Sequence, residues 1–498
     1  MENHYDIVII GSGLGGLECA LTLGKEGYNV CVLEQSPIIG GCLQSFVRNG
    51  RTIDTGMHYI GSMDDGEIMH QYFKFFGVLD DLNYIKLDSQ FEKITFGENG
   101  TYFYNSGFEN FQSSLIEQFP KEKLGIEKYC ETLHRIGNAI SVDVHKTGVF
   151  SVGDISNLGF CASDFIDNCV SDNILRNLLA GTNALYGGVK KQSNLYHHCM
   201  VNYSNIQGSC RFTGGSQHVA DSFVRHIEAT GGIVRNKSKV VSINMDEKGA
   251  ESVTLENGER IFAKQFISDI HPSVTFDMVE KTPLVKKAYR SRLKLLPNTY
   301  ALFSVHLLMK DESYPYINHN RYIYENSNAW DTMLDSVTLK PKAVLKCSQL
   351  SVKNPQYADV ITLMTPVEYS LFEKWANTEP MRRGDEYNEL KERLTQNIIE
   401  FVSQYSPFLK DSIAKVYTSS PLTYENYTST PQGSAYGILK DYRNALVSLL
   451  PAKTKIPNLF LTGQNLNVHG ALGVTLTSAI TCSELLGVEY LAKKIANS

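Results

Sequence analysis

Three glycines near the N-terminus, Gly11, Gly13 and Gly16, have the spacing of a loop that binds the phosphates of a dinucleotide. Gly11 permits a tight turn, Gly13 lets the backbone approach a pyrophosphate, and Gly16 lets the next helix pack close to the preceding strand. The unpaired N–H groups at the start of that helix face the phosphates. Glu34 follows roughly 20 residues later, where a carboxylate binds ribose hydroxyls. The chemistry predicted here is dinucleotide binding.

The residues around the glycines predict the elements that position them. Residues 6–10 form an apolar strand, a helix runs to about residue 25, and residues 28–34 form a second strand that ends at Glu34. A glycine pattern alone is weak, but a strand, a helix, a second strand and an acidic residue at the expected offsets make it specific.

Residues after Glu34 indicate which dinucleotide is bound. Gln35 leads to the Gly40-Gly41 pair, and residues 46–61 include the run Asp54-Thr55-Gly56-Met57-His58. This stretch resembles the extended FAD motif of the superfamily of amine oxidases and phytoene desaturases. That family often has a basic residue after the glycine pair, and this chain has Cys42. The resemblance implies FAD, with one phosphate contact in doubt.

Two later blocks resemble further parts of the same family. Residues 212–223 begin an amphipathic helix, and a returning strand near Val241 is the one whose backbone touches the adenine in the family. Residues 458–479 read as a buried strand, a glycine-rich turn and a helix of small residues that closes over the flavin. The full set of cofactor-binding residues that we predict is Gly11, Gly13, Leu14, Gly15, Gly16, Glu34, Gln35, Gly40, Gly41, His58, Val241, Gly463, Gln464, Gly473 and Val474.

The order of these blocks predicts two interleaved domains. At 498 residues the chain exceeds the size of one hydrophobic core. We expect an α/β fold in which residues 1–75, 205–285 and 431–498 form a Rossmann-type FAD-binding domain. Residues 76–204 and 286–430 then form a discontinuous α+β substrate domain, or cap. The helices predicted within residues 111–140 resemble those of the phytoene desaturase, carotenoid isomerase and retinol saturase group.

A flavin carries the redox chemistry itself, so few protein side chains need to act directly. His58 and Tyr59 follow the stretch that flanks the flavin in the family, and His469 precedes the last glycine turn. Each is a candidate catalytic residue because it could donate or accept a proton near the ring. Packed histidines are commoner than catalytic ones, and that alternative stays open.

Composition excludes several other classes of protein. The net charge of −6 gives no basic footprint for nucleic acid. Ten scattered cysteines form no zinc or disulfide pattern, so we predict free thiols and no metal site. The N-terminus has no export signal, and no segment is apolar enough to span a membrane, so we expect a cytoplasmic protein.

The resemblance implies an FAD-dependent oxidoreductase that acts on carbon–carbon double bonds of an apolar isoprenoid or related lipid. Retinol saturase-like reduction is favoured over phytoene desaturase-like desaturation. Three alternatives remain: carotenoid isomerase-like isomerisation with reduced flavin, amine oxidation, and prenyl-lipid carriage without catalysis.

The sequence also bears on the chain's partners. A second dinucleotide fingerprint is absent from the sequence, so electrons come transiently from NAD(P)H, from a redox partner protein or from the substrate. No flavin-linkage signature appears, so FAD is expected to bind non-covalently. Because an apolar substrate partitions into bilayers, we expect peripheral membrane association, with the aromatic stretch of residues 68–79 as its motivating feature.

Overall fold

The computed structural model describes residues 3–147 and 155–498, with the side chains of residues 140–147 and 155–156 left aside. The strands, in chain order, are His4–Ile10 (β1), Val30–Leu33 (β2), Ser45–Arg48 (β3), Arg51–Asp54 (β4), Tyr84–Lys86 (β5), Glu92–Phe96 (β6), Thr101–Tyr104 (β7), Cys210–Phe212 (β8), Ile233–Arg235 (β9), Val240–Met245 (β10), Ala250–Leu255 (β11), Arg260–Ser268 (β12), Ala301–Met309 (β13), Asn320–Tyr324 (β14), Ala343–Leu350 (β15), Ala358–Val367 (β16), Ile413–Ser419 (β17) and Leu459–Leu461 (β18).

The α-helices are Leu14–Lys25 (α1), Ile68–Phe76 (α2), Phe108–Gln118 (α3), Lys123–Thr147 (α4), Ala162–Cys169 (α5), Asn173–Leu179 (α6), Leu195–Ile206 (α7), Gln217–Ala229 (α8), Pro272–Met278 (α9), Lys287–Leu295 (α10), Asp385–Ser403 (α11), Pro421–Thr428 (α12), Ala445–Ser448 (α13), Gly470–Leu486 (α14) and Val488–Ala496 (α15). Within residues 3–147 and 155–498, no helix combines the length and the hydropathy that a bilayer span requires.

The first large sheet has the order β10-β11-β12-β1-β2-β9, with β18 paired to β12. β1 lies between β12 and β2, and both pairs are parallel. Its side chains alternate between two cores: Ile7 and Ile9 pack on one face, Val8 and Ile10 on the other. Burial on both faces explains the unbroken apolar run in the sequence. The Rossmann-type α/β fold that we predicted is confirmed.

Helices α1, α8 and α14 cover one face of this sheet, with α1 packed against both of the others. β18 and α14 belong to the last forty residues of the chain. The C-terminus therefore completes the N-terminal α/β layer, because a central parallel sheet must be covered on both faces.

The second large sheet has the order β17-β13-β16-β15-β14-β6-β7 and is mostly antiparallel. One of its faces packs on α11 through residues such as Phe303 and Ile398. Side chains on the opposite face, such as Leu345 and Met364, line a cavity. Strands of the first sheet lie within residues 1–75, 205–285 and 431–498, and those of the second within 76–204 and 286–430.

Local differences from the predicted elements have simple causes. The helical region expected over residues 111–140 is two helices, α3 and α4, separated at Phe119 and Pro120. Proline lacks the N–H that a continuous helix needs. The aromatic stretch of residues 68–79 corresponds to α2, whose residues Met69, Tyr72, Phe73 and Phe76 are all buried. Most of the apolar side of this helix is therefore core, and Phe75 is half-buried.

Candidate cofactor and substrate site

The dinucleotide loop joins β1 to α1 at the carboxyl end of the first sheet. Gly11 has φ +97°, a conformation that side chains rarely adopt, so glycine is required at the turn. Gly16 lies beneath the turn, where an added Cβ would approach the carbonyl oxygen of Gly11 to 2.4 Å. Helix α1 can therefore begin directly at the loop with its first N–H groups facing the cavity described below.

Glu34 lies just after β2 with its carboxylate buried beside this loop. It accepts hydrogen bonds from the backbone N–H of Ser12 at 3.0 Å, the Ser12 hydroxyl at 2.6 Å and the N–H of Ser36 at 2.7 Å. A carboxylate can accept about four hydrogen bonds, which leaves capacity for a ligand hydroxyl. Glu34 thus both fixes the loop and remains available to a ribose.

Asp269 brings a second carboxylate to the same loop. It follows β12, the neighbour of β1 in the sheet. One of its oxygens lies 2.5 Å from the position that a Cβ on Gly13 would take, and the other lies 2.4 Å from that of Gly463. Burial raises the pKa of Asp269 to about 7, and the charge of Glu34 adds to the effect. The carboxyl group is therefore partly protonated near neutral pH.

A single continuous cavity of about 650 Å³ begins at this loop. Most of the predicted cofactor residues line it: Gly11, Gly13, Leu14, Gly15, Glu34, Gln35, Gly40, Gly41, His58, Val241, Gln464 and Val474.

Three of the predicted residues, Gly16, Gly463 and Gly473, support the wall of this cavity from behind. A Cβ on Gly473 would lie 2.0 Å from the carbonyl oxygen of Val468, so this glycine lets α14 approach the preceding loop. These three glycines act on the cavity through close backbone packing.

The far end of the cavity is apolar and is formed by the second sheet. Tyr322, Leu345 and Met364 lie in register across β14, β15 and β16, with their side chains on one face. All three line the cavity, together with Ala184, Leu185, Met200, Val201, Leu302, Tyr324, Ala343 and Pro366. This end is suited to a hydrocarbon ligand because such a ligand needs no polar partner there.

His58 lines the cavity and is buried, at 8% exposure. Neither of its ring nitrogens has a hydrogen-bond partner among the described residues. Burial lowers the pKa of His58 to about 4, although the nearby carboxylate of Asp54 opposes that change. The ring is neutral at physiological pH and keeps both nitrogens free for a ligand.

His469 also borders the cavity, but both of its ring nitrogens face backbone. Nδ1 lies 3.2 Å from the carbonyl oxygen of Tyr186, and Nε2 lies 3.0 Å from that of Ile438. Its ring stacks on Tyr436, and burial lowers its pKa to about 3. This geometry favours a role in holding the loop before α14 over direct proton transfer.

Tyr59 lines the cavity with its hydroxyl 2.6 Å from the hydroxyl of Tyr322. Tyr59 comes from the stretch that follows β4, and Tyr322 comes from the second sheet. Two hydroxyl groups therefore lie together at the junction of the two domains. Of the three predicted catalytic residues, Tyr59 and His58 have polar groups placed to reach a ligand.

Sequence reasoning missed Ser12, Lys239 and Asp269. Among the described residues that line the cavity, Lys239 is the one lysine or arginine. It adjoins Ser238, whose N–H donates to the carbonyl oxygen of Glu34. Asp269 directly follows β12, which is parallel to β1, and so lies at the same carboxyl end of the sheet as Gly11 and Glu34. Ligands bind at this edge in open α/β sheets, so reading one residue past the strand would have found Asp269.

These residues fit an FAD molecule. The loop offers helix N–H groups to a pyrophosphate, Glu34 lies beside it for a ribose, and His58 holds two unpaired ring nitrogens further along the cavity. FAD would be held by the lining residues named above, and would supply two-electron chemistry next to Tyr59.

Comparison with known proteins finds relatives over almost the whole chain. A family model described as an NAD(P)-binding Rossmann-like domain matches residues 9–76. An all-trans-retinol 13,14-reductase from Rattus norvegicus is 29% identical over 98% of this chain and 86% of its own length. A chloroplastic prolycopene isomerase from Daucus carota is 23% identical over 98% of this chain and 81% of its own length.

Among solved structures, a putrescine oxidase superposes with a TM-score of 0.64 at 14% identity. The match covers 97% of this chain and 99% of that one. At this identity the likeness is one of fold. The two chains therefore share a fold over nearly their whole length.

Proposed function

We propose that this chain reduces a carbon–carbon double bond of an apolar isoprenoid or related lipid. It belongs to the FAD-dependent amine oxidase-like superfamily, in the group of phytoene desaturases, carotenoid isomerases and retinol saturases. The enzyme class is that of flavin-dependent oxidoreductases. Retinol saturase-like reduction is the favoured direction because the similarity to retinol reductases is greater than that to the isomerases.

One observation carries the proposal. A single cavity connects the dinucleotide loop at Gly13 to the apolar wall at Leu345 and Met364. A cofactor bound at the first end and a hydrocarbon bound at the second would therefore meet inside the protein. Exclusion of water protects reduced flavin and favours transfer to carbon.

The charge distribution supports an apolar substrate over an amine. The acidic residues that line the cavity, Glu34 and Asp269, both lie at the dinucleotide end, and Lys239 lies there as well. The lining of the opposite end is aliphatic and aromatic. A cationic amine would lack a carboxylate partner at that end, and desolvating its charge is costly.

FAD is proposed to bind without a covalent link and to receive electrons from outside. When bound and reduced, FAD supplies a hydride equivalent. The protein contributes orientation through the apolar wall, exclusion of water, and hydroxyl groups at Tyr59 and Tyr322. NAD(P)H or a partner redox protein is the proposed source of electrons.

The test is anaerobic incubation of the reduced holoenzyme with all-trans-retinol, phytoene and an unsaturated fatty acid, followed by mass analysis. A product heavier by two hydrogens supports the proposal. Loss of two hydrogens by the oxidised enzyme would replace it with desaturation. Unchanged mass with altered chromatographic retention would replace it with isomerisation, which similarity to prolycopene isomerase over almost the whole chain makes the second candidate.

A further inference from the structure

A buried polar cluster lies behind the cavity wall at the junction of the two domains. Its front is the hydroxyl pair of Tyr59 and Tyr322, whose oxygens are 2.6 Å apart and whose side chains both line the cavity. Tyr322 is 2% exposed, so its hydroxyl is inaccessible from outside. The pair is thus placed to reach a ligand while being shielded from bulk water.

Behind this pair lies Glu92, the first residue of β6. Glu92 pairs with Asn320 in the register of β6 and β14, and Tyr322 lies two residues beyond Asn320 on the same face. The Glu92 side chain is 0% exposed and adjoins both Tyr59 and Asn320. Neither of its carboxylate oxygens has a hydrogen-bond partner among the described residues.

Arg211 is the nearest cation, but its bonds go elsewhere. Its guanidinium donates to the Asn320 side-chain oxygen at 2.5 Å and to the His58 carbonyl oxygen at 3.3 Å. It forms no ion pair with Glu92 within the described part of the chain. Glu92 is therefore a buried carboxyl group without a counter-ion.

A buried carboxyl group without a counter-ion retains its proton, because desolvation penalises the charged form. Burial raises the pKa of Glu92 to about 8, and the nearby polar side chains of Tyr59 and Asn320 and the charge of Arg211 only partly offset this. Burial also raises the pKa of Tyr59, and Glu92 adds to that shift. The titratable groups around Glu92 are Tyr59, Tyr104, Arg211, Tyr322, Tyr324 and Cys347.

We propose that Glu92, acting through the hydroxyl pair of Tyr59 and Tyr322, supplies the proton that completes reduction of the substrate double bond. The inference rests on the proposed function and deepens it. Tyr59 is the group that touches the substrate, and Glu92 acts on the substrate only through Tyr59.

The reaction balances with one external reductant. The double bond gains two hydrogens: one arrives with the electron pair from the reduced cofactor, and the other arrives as a proton from the Tyr59 hydroxyl. Glu92 returns a proton to Tyr59 and recovers its own from solvent after the product leaves. A two-electron donor such as a nicotinamide restores the reduced cofactor.

The first test needs no substrate. Infrared spectra of the oxidised holoenzyme should contain a protonated-carboxyl band that disappears in Glu92→Gln and shifts in Tyr59→Phe. Glu18→Gln is the matched control, because Glu18 is another fully buried carboxyl group with a pKa raised to about 8. It should remove a different band. A spectrum in which Glu92→Gln removes no such band would overturn the proposal that Glu92 supplies the proton.

The second test measures the step itself by stopped-flow reoxidation of reduced enzyme with all-trans-retinol. Tyr59→Phe should slow reoxidation by about 100-fold or more, the usual size of a general-acid effect. Reduction of the flavin by dithionite should be unchanged. Tyr72→Phe is the control, since its buried hydroxyl lies outside the cavity and has no partner among the described residues.

The pH profile separates a proton donor from a structural residue. The wild-type rate should be level below about pH 8 and fall about tenfold per pH unit above it, because Glu92 must be protonated to act. Glu92→Gln should be slow and should lack this fall. If Tyr59→Phe loses FAD, Tyr322→Phe replaces it.

The outcomes distinguish the two proposals. If no polyene reoxidises the reduced wild-type enzyme although the Glu92 band is present, the proposed function is wrong. The proton transfer from Glu92 would then have no reaction to complete. Reoxidation of the reduced enzyme by retinol at an unaltered rate in Tyr59→Phe, with an unaltered pH profile in Glu92→Gln, would end only the proposed proton transfer from Glu92 through Tyr59.

Discussion

The hydroxyl of Thr475 donates a hydrogen bond of 2.6 Å to the carboxyl group of Glu18, joining the first helix, α1, to α14 near the C-terminus. Glu18 is 0% exposed. Burial raises its pKa to about 8, because the effect of burial is larger than the opposing effect of the hydrogen bond from Thr475. The contact explains how two segments more than 450 residues apart form one layer.

This contact predicts how stability depends on pH. Glu18 is protonated in the folded state and ionised in the unfolded state between its ordinary pKa of 4.5 and about 8. The free energy of unfolding should therefore fall as pH rises through that window, by at most about 1.4 kcal/mol per unit from this group. Glu18→Gln should flatten the dependence and be the more stable protein at pH 8. Urea denaturation across this range measures it, and parallel curves for both proteins would contradict it.

Gly13→Val should abolish FAD binding. Gly13 has φ −61°, which any residue adopts, so the loss comes from space: an added Cβ would lie 2.5 Å from a carboxylate oxygen of Asp269. Flavin absorbance of the purified variant measures the effect. Gly159→Val is the control, because no atom of the described residues lies within 4 Å of its Cβ position. Normal flavin content in Gly13→Val would show that the cofactor lies elsewhere.

Glu34→Ala should weaken FAD binding by about 10- to 100-fold, the range expected when charge-assisted hydrogen bonds are lost. Its bonds to Ser12 and Ser36 mean that the apoprotein loses stability as well. Fluorescence titration gives the affinity, and thermal unfolding of the apoprotein gives the stability. A loss of stability with unchanged affinity would assign Glu34 to the loop alone.

Asp269 makes FAD affinity depend on pH. Its pKa of about 7 means that raising the pH adds a negative charge beside Glu34 and the expected pyrophosphate. Affinity should be highest below about pH 7 and fall by at most about tenfold per unit above it, because binding favours the protonated form. Asp269→Asn is the isosteric neutral variant and should bind equally at each pH. A fall of the same steepness in both proteins would place the titrating group elsewhere.

Peripheral membrane association remains a proposal, and its basis is the substrate. Residues 68–79 give it little support because most apolar side chains of α2 are buried. The enzyme should float with lipid vesicles, since a substrate dissolved in a bilayer must enter the cavity from there. Protein that remains at the bottom of the gradient with both neutral and anionic lipids would favour a more soluble substrate.

The sequence by itself determined the dinucleotide half of the site, because each part of it is local. Gly11, Gly13 and Glu34 belong to one strand-helix-strand unit, whose hydrophobic periodicity and glycine spacing leave little freedom in where they lie. The direction of the His469 ring, by contrast, could not be predicted from the sequence. Its nitrogens face Tyr186 and Ile438, which no local pattern connects to it.

Only the tertiary structure decided which buried acids reach the cavity. Asp269 meets Gly13 because β12 lies beside β1, although more than 200 residues separate them in the chain. Glu92, Tyr59 and Tyr322 come from three distant segments that meet where the two sheets face each other. Desolvation sets the protonation of these groups, and it depends on what packs around a side chain rather than on its neighbours in sequence.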